Sequence, residues 1–241
     1  MRTTIITIAI VLAIATCIAL AVYLYHPPDT TDMAILRDVT EKQLVRPNTA
    51  EILGLCDLSG DKRWNGVRLI FSDVTDVSYN EAQEVKIEAA NPWFSNEMER
   101  GREVQDFKNK VAVLIAQTAN DTVGRPHSSI YLPMARELAA LSGSKSGRRM
   151  LIIYSDLMEN DPELSFYDSG TLQEMQSDPD WVKQIFEKWQ SLPALTGIDV
   201  YLIFQPENAA QDEQYKVVSE FYRKLLQEKG AMVHVSANLL N

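Results

Sequence analysis

Two acidic stretches stand directly after apolar runs, and their side chains are of the kind that hold a divalent cation. In the first, residues 52–56 lead into Asp57-Leu58-Ser59-Gly60-Asp61. In the second, residues 150–154 lead into Ser155-Asp156. Read as strands of an open α/β sheet, both runs end in a carboxylate at the edge where such sheets bind ligands. With the two strands side by side, Asp57, Ser59, Asp61 and Asp156 converge. Carboxylate and hydroxyl oxygens are hard donors and suit Mg²⁺, with Mn²⁺ or Ca²⁺ as alternatives.

A plainer reading competes with this one. Asp, Ser and Gly also dominate polar turns, because they bond their own backbone or tolerate unusual dihedrals. Asp156 can equally brace the loop that follows it. Other motifs carry less. Gly143-Ser144-Lys145-Ser146 echoes a phosphate loop but lacks the spaced glycine and enters a strand instead of leaving one. His26, His127 and His234 are too scattered for zinc. There is no nucleophile elbow and no dinucleotide fingerprint. Carboxylates around Mg²⁺ can support hydrolysis, with His127 as the base, but nothing supplies the phosphate-binding groups such chemistry uses. Binding is therefore expected before catalysis.

The elements that must position these residues alternate along the chain. Short apolar or alternating runs predict strands at residues 52–56, 67–71, 84–89, 150–154, 198–204 and 232–235. Helical spacing predicts helices at about 91–118, with Asn91 as cap and Pro92 in the first turn, and at 130–141, 181–190 and 211–227. Strands alternating with helices imply an α/β domain: a doubly wound, mostly parallel sheet with helices on both faces. The domain is expected to fill residues 49–241, behind a stalk at 26–48 with a short helix near 33–44.

The first 25 residues are a different material. Residues 4–25 carry no charged side chain, enough to cross a bilayer as one helix. Arg2 and the amino terminus precede this run, and no Lys or Arg follows until Arg37. Positive charge stays cytoplasmic, so the N-terminus is expected inside and the domain outside, in the periplasm of a Gram-negative cell. Tyr23 and Tyr25 suit the outer interface. A cleaved signal fits less well, because the run is long and no small-x-small site closes it. Cys17, in the anchor, and Cys56 are too far apart to pair. The formal charge of -10 argues against a nucleic-acid surface.

An Asp-x-Ser loop after the first strand, a hydroxyl loop before a middle helix and an Asp after the next strand resemble the von Willebrand factor A family. The resemblance implies a metal-ion-dependent adhesion site at the sheet edge, whose first loop reads Asp-x-Ser-x-Ser. Here that loop is Asp57-Leu58-Ser59-Gly60-Asp61, with Ser128 or Ser129 as the hydroxyl loop and Asp156 as the last ligand. Asp61 replaces a serine, a serine replaces a threonine, and no clear helix separates the first two strands. An added negative charge would hold a cation more tightly and attract an acidic partner less. The expectation is a membrane-anchored extracytoplasmic module that binds a protein partner in an envelope assembly, with or without Mg²⁺. A metal-dependent hydrolase and a metal-free structural subunit are the alternatives.

Overall fold

The computed structural model describes residue 7 and residues 10–11, 13–20, 28–40, 43–74, 82–117 and 128–239. It is an α/β fold: a six-stranded sheet in the order β3-β2-β1-β4-β5-β6 with helices on both faces. The strands are β1 (Thr30–Asp38), β2 (Gly66–Val74), β3 (Ala82–Ile87), β4 (Arg148–Tyr154), β5 (Ile198–Ile203) and β6 (Met232–Ser236). All neighbours are parallel except β3, which runs antiparallel to β2 at the edge. The helices are α1 (Thr49–Cys56), α2 (Glu97–Gln117), α3 (Tyr131–Gly143), α4 (Ser169–Ser177), α5 (Asp180–Trp189) and α6 (Ala209–Glu228), with a 3-10 turn at Gly60–Trp64.

The first strand of the domain is not residues 52–56 but Thr30–Asp38, inside the expected stalk. It pairs with β2 on one side and β4 on the other, so the domain begins at Thr30 and not at Thr49. Its apolar core, Met33-Ala34-Ile35-Leu36, is buried on both faces, as a central parallel strand must be. Residues 52–56 belong to α1. Asn48 caps that helix, its side chain accepting from the Ala50 and Glu51 amides. A five-residue apolar run cannot distinguish a strand from a buried helix turn, and here the cap decides. A helix therefore does separate the first two strands.

The other expected elements are present with shifted ends. The helix expected from Asn91 begins at Glu97, because Asn96 caps it through the Met98 and Glu99 amides. Asn91 instead opens a single turn. Helix α4 is an element that the sequence pattern does not predict.

Met33 and Ile35 pack with Ile52, Phe107 and Val111 on the face covered by α1 and α2. Ala34 and Leu36 pack with Met134, Leu138, Phe186 and Tyr222 beneath α3, α5 and α6. Among the described residues no helix is long and apolar enough to cross a membrane. The run 4–25 extends beyond them, and Tyr23 and Tyr25 lie outside. Residues 13–20 are helical, with Ile14, Ile18 and Leu20 exposed.

Candidate functional site

The expected cluster divides between opposite edges of the sheet. Helix α1 runs back against the strands, so its C-terminal end reaches the edge where the strands begin. Arg148, the first residue of β4, donates to the Leu55 carbonyl there. Asp57 follows in a left-handed C-cap (φ 50, ψ 52) and pairs with Lys62. Ser59 opens the 3-10 turn and Asp61 sits exposed in it. Asp156 follows the other end of β4. Seven strand residues separate the two edges, on the order of 20 Å. Asp57, Ser59 and Asp61 therefore do not meet Ser128 or Asp156.

What does meet Asp156 is the end of β1. The register sets Arg37 opposite Tyr154, which brings Asp38 level with Ser155. Asp38 is buried, and its Oδ1 accepts from the Thr40 amide (2.9 Å) and the Thr40 hydroxyl (2.5 Å). Its Oδ2 accepts from the Ser155 hydroxyl at 2.9 Å. Asp156 Oδ1 accepts from the Met158 amide at 3.0 Å, and the Tyr167 hydroxyl approaches its Oδ2 at 3.5 Å. Between Asp156 and Met158, Leu157 is held at φ 63. A buried leucine in the left-handed region is uncommon, and its cost of about 1–2 kcal/mol must be met by the packing around it.

Helix α3 lies over β1 and β4 with its N-terminal end at this same edge, since its other end leads into the start of β4. Ser128 precedes it and pairs with Asn160 through both backbone groups (3.3 and 2.8 Å). The Ser128 hydroxyl is buried without a hydrogen-bond partner. Neither Ser128 nor Ser129 caps the helix. Glu159 does so from the neighbouring loop, its Oε2 accepting from the Ile130 (3.1 Å) and Tyr131 (2.9 Å) amides. Burial pushes the Glu159 carboxyl up to about 8, against the pull of those two donors. Its Oε1 and the Tyr222 hydroxyl are both buried without a well-formed hydrogen bond. Burial first, and Glu159 second, raise the Tyr222 phenol well above its usual range.

The candidate site is thus Asp38, Thr40, Ser155 and Asp156 at the carboxyl ends of β1 and β4, with Ser128 at the same edge of the sheet. The chain winds outward in opposite directions from these two strands, and open α/β sheets bind ligands at that switch point. All its donors are hard oxygens, the kind that suits Mg²⁺. Among the described residues no three His, Cys, Asp or Glu side chains are grouped to hold a metal ion; this edge offers two carboxylates plus hydroxyls. His127 lies outside the described residues. Cys17 and Cys56 are both free, and burial pushes the Cys56 thiol up to about 12, which leaves it unreactive.

Sequence reasoning missed Asp38, Thr40 and Glu159. For the first two a signal existed: Asp38-Val39-Thr40 follows an apolar run, as the expected motif requires. For Glu159 none existed, because its role comes from a contact with a distant helix. Comparison with models of known protein families gives no match, and comparison with curated proteins gives none.

Proposed function

We propose that the chain is a membrane-anchored module of the von Willebrand factor A kind, which binds a protein partner at the carboxyl edge of its sheet with the help of Mg²⁺. One observation carries the reading: the hydrogen-bonded union of Asp38 with Ser155, next to Asp156, at the switch point. In this register the family's Asp-x-Ser-x-Ser loop corresponds to Asp38-Val39-Thr40-Glu41-Lys42. Thr40 keeps a hydroxyl, while Lys42 removes the second one. The orphaned Ser128 hydroxyl is the observation on which the cation fits, since a buried oxygen without a partner is costly unless something takes it up. Asp156, Thr40 and Ser128 would hold the ion, with Asp38 orienting Thr40 and Ser155. Water fills the remaining positions readily around Mg²⁺.

Residues 4–25 supply the tether, placing the domain outside the cytoplasmic membrane. An uncharged run whose described part is helical and exposed on Ile14, Ile18 and Leu20 favours lipid as its surroundings.

The test is thermal unfolding of the detergent-solubilised full chain with chelator and with millimolar Mg²⁺. A ligand bound only by the folded form adds about 2.7 kcal/mol at a hundredfold excess over its dissociation constant. The expected rise is lost in Asp156→Asn and Ser128→Ala and kept in Asp57→Asn. An equal response in all four proteins, or none in the parent chain, sinks the cation and leaves a metal-free structural subunit.

A further inference from the structure

The loop that joins β3 to α2 and the first turn of α2 carry the most exposed large apolar side chains among the described residues of the domain: Phe94 at 90 % and Trp93 at 78 % in the loop, and Met98 at 72 % in the helix. Three such residues within six positions, two of them aromatic, form a patch that single scattered apolar residues do not. They lie at the amino edge of the sheet. Strand β3 is antiparallel, so its last residue, Ile87, pairs with Val67 at the start of β2.

The chain enters the domain at this same edge. The Asp29 amide donates to Asn65 Oδ1 at 3.0 Å, and the Asp29 carbonyl accepts from the Gly66 amide at 2.9 Å. The Ala90 amide donates to the Trp64 carbonyl at 2.9 Å. Entry point and patch loop are therefore fastened to adjacent residues. From Tyr25, the last residue of the apolar run, to Asp29 the chain reaches on the order of 14 Å at most. Trp93 follows Ala90 by three residues, a reach of about 11 Å.

We infer that Trp93, Phe94 and Met98 insert into the headgroup–acyl boundary of the bilayer that holds residues 4–25, so that the amino edge lies against the membrane and the carboxyl edge faces away from it. This rests on the tether proposed above. A tether that short leaves the edge little room to stand clear of the lipid surface. Tryptophan and phenylalanine are suited to that boundary, and the tryptophan N–H can stay among the headgroups. Both basic side chains of the neighbouring 3-10 turn are paired, Lys62 with Asp57 and Arg63 with Glu97. Attachment is therefore apolar and does not depend on anionic lipid.

The test uses the full chain reconstituted in phosphatidylcholine vesicles, with and without lipid brominated near the headgroup. Flotation reports the tether, and quenching of tryptophan emission reports the patch. The expected result is bromolipid quenching that is lost in Trp93→Phe and retained in Trp181→Phe. A chain that does not float overturns both the tether and the patch. A chain that floats, with equal quenching in the parent and Trp93→Phe, overturns the patch alone. So does a Trp93 that floats with the vesicles yet is quenched only by aqueous iodide, and that result would assign the loop to a protein partner.

Discussion

At the amino edge of the sheet a buried cation is surrounded by carbonyl oxygens; at the carboxyl edge buried carboxylates are surrounded by N–H and O–H donors. Arg100 is the first case. Its guanidinium donates to the carbonyls of Arg63 (2.7 Å), Asn65 (2.7 Å) and Glu88 (2.9 Å) and to Glu103 Oε2 (2.9 Å). It clamps the 3-10 turn, the start of β2 and the exit of β3, and each of its three nitrogens donates to a carbonyl. Asp38 and Glu159 are the second case. There the satisfaction is incomplete: Ser128 Oγ has no partner, Glu159 Oε1 and the Tyr222 hydroxyl lack a well-formed hydrogen bond, and Leu157 is strained. A closed network stabilises a fold, whereas unsatisfied groups and strain mark where a ligand has something to gain.

The largest effect that would separate the two edges is at the clamp. Arg100→Ala leaves three carbonyls without their donor and should cost on the order of 3–5 kcal/mol in urea unfolding. Arg100→Lys should recover little of it, because an ammonium cannot reproduce the fork. A cost under ~1 kcal/mol would mean the clamp is redundant. Asp38→Ala should come next, at about 2–3 kcal/mol, since the Thr40 and Ser155 donors it strands can partly turn elsewhere.

Glu159 gives the contrast a pH signature. Burial pushes its carboxyl up to about 8 in the fold, against an ordinary value of 4.5. Between those values the folded form keeps a proton that the unfolded form has released, so stability falls as pH rises from about 4.5 to about 8. The slope is at most ~1.4 kcal/mol per pH unit. Glu159→Gln keeps an acceptor for the Ile130 and Tyr131 amides and should be flat across that window. Unfolding midpoints at pH 5 and pH 8.5 compare the two proteins, and parallel curves would show that Glu159 is ionised throughout.

The smallest effect is expected at Asp57. Its partner Lys62 is largely exposed, and exposed pairs contribute roughly 0–1 kcal/mol. Asparagine also tolerates the left-handed backbone, so Asp57→Asn should shift stability by less than ~1 kcal/mol. A larger loss, or a lost Mg²⁺ response, would restore the amino-edge loop as a metal site.

Much of the layered architecture was legible because it rests on local pattern. The strands around Leu69, Ile152 and Val200 and the helices around Met134, Phe186 and Val218 all carry the apolar spacing their burial demands. The misreading at the N-terminal end came from two short apolar runs of similar strength. Residues 52–56 read locally as a strand, and Met33-Ala34-Ile35-Leu36, flanked by polar residues, reads as part of a stalk. The Asn48 cap, with Glu51 three residues on, was the readable signal against that choice. Exchanging those elements moved the first acidic loop to the wrong edge, and with it three of the five expected ligands.

The sequence by itself determined the class of fold, the separate character of residues 4–25 and Asp156 at the end of a core strand. These follow from hydrophobic periodicity and local turn chemistry, which act over a few residues. Only the tertiary structure decided that Asp38 stands beside Ser155, that Glu159 caps a helix it does not belong to, and that Trp93 and Phe94 share an edge with the chain's entry. Each of these is a juxtaposition of residues far apart in the chain, and strand order and register, not local preference, bring them together.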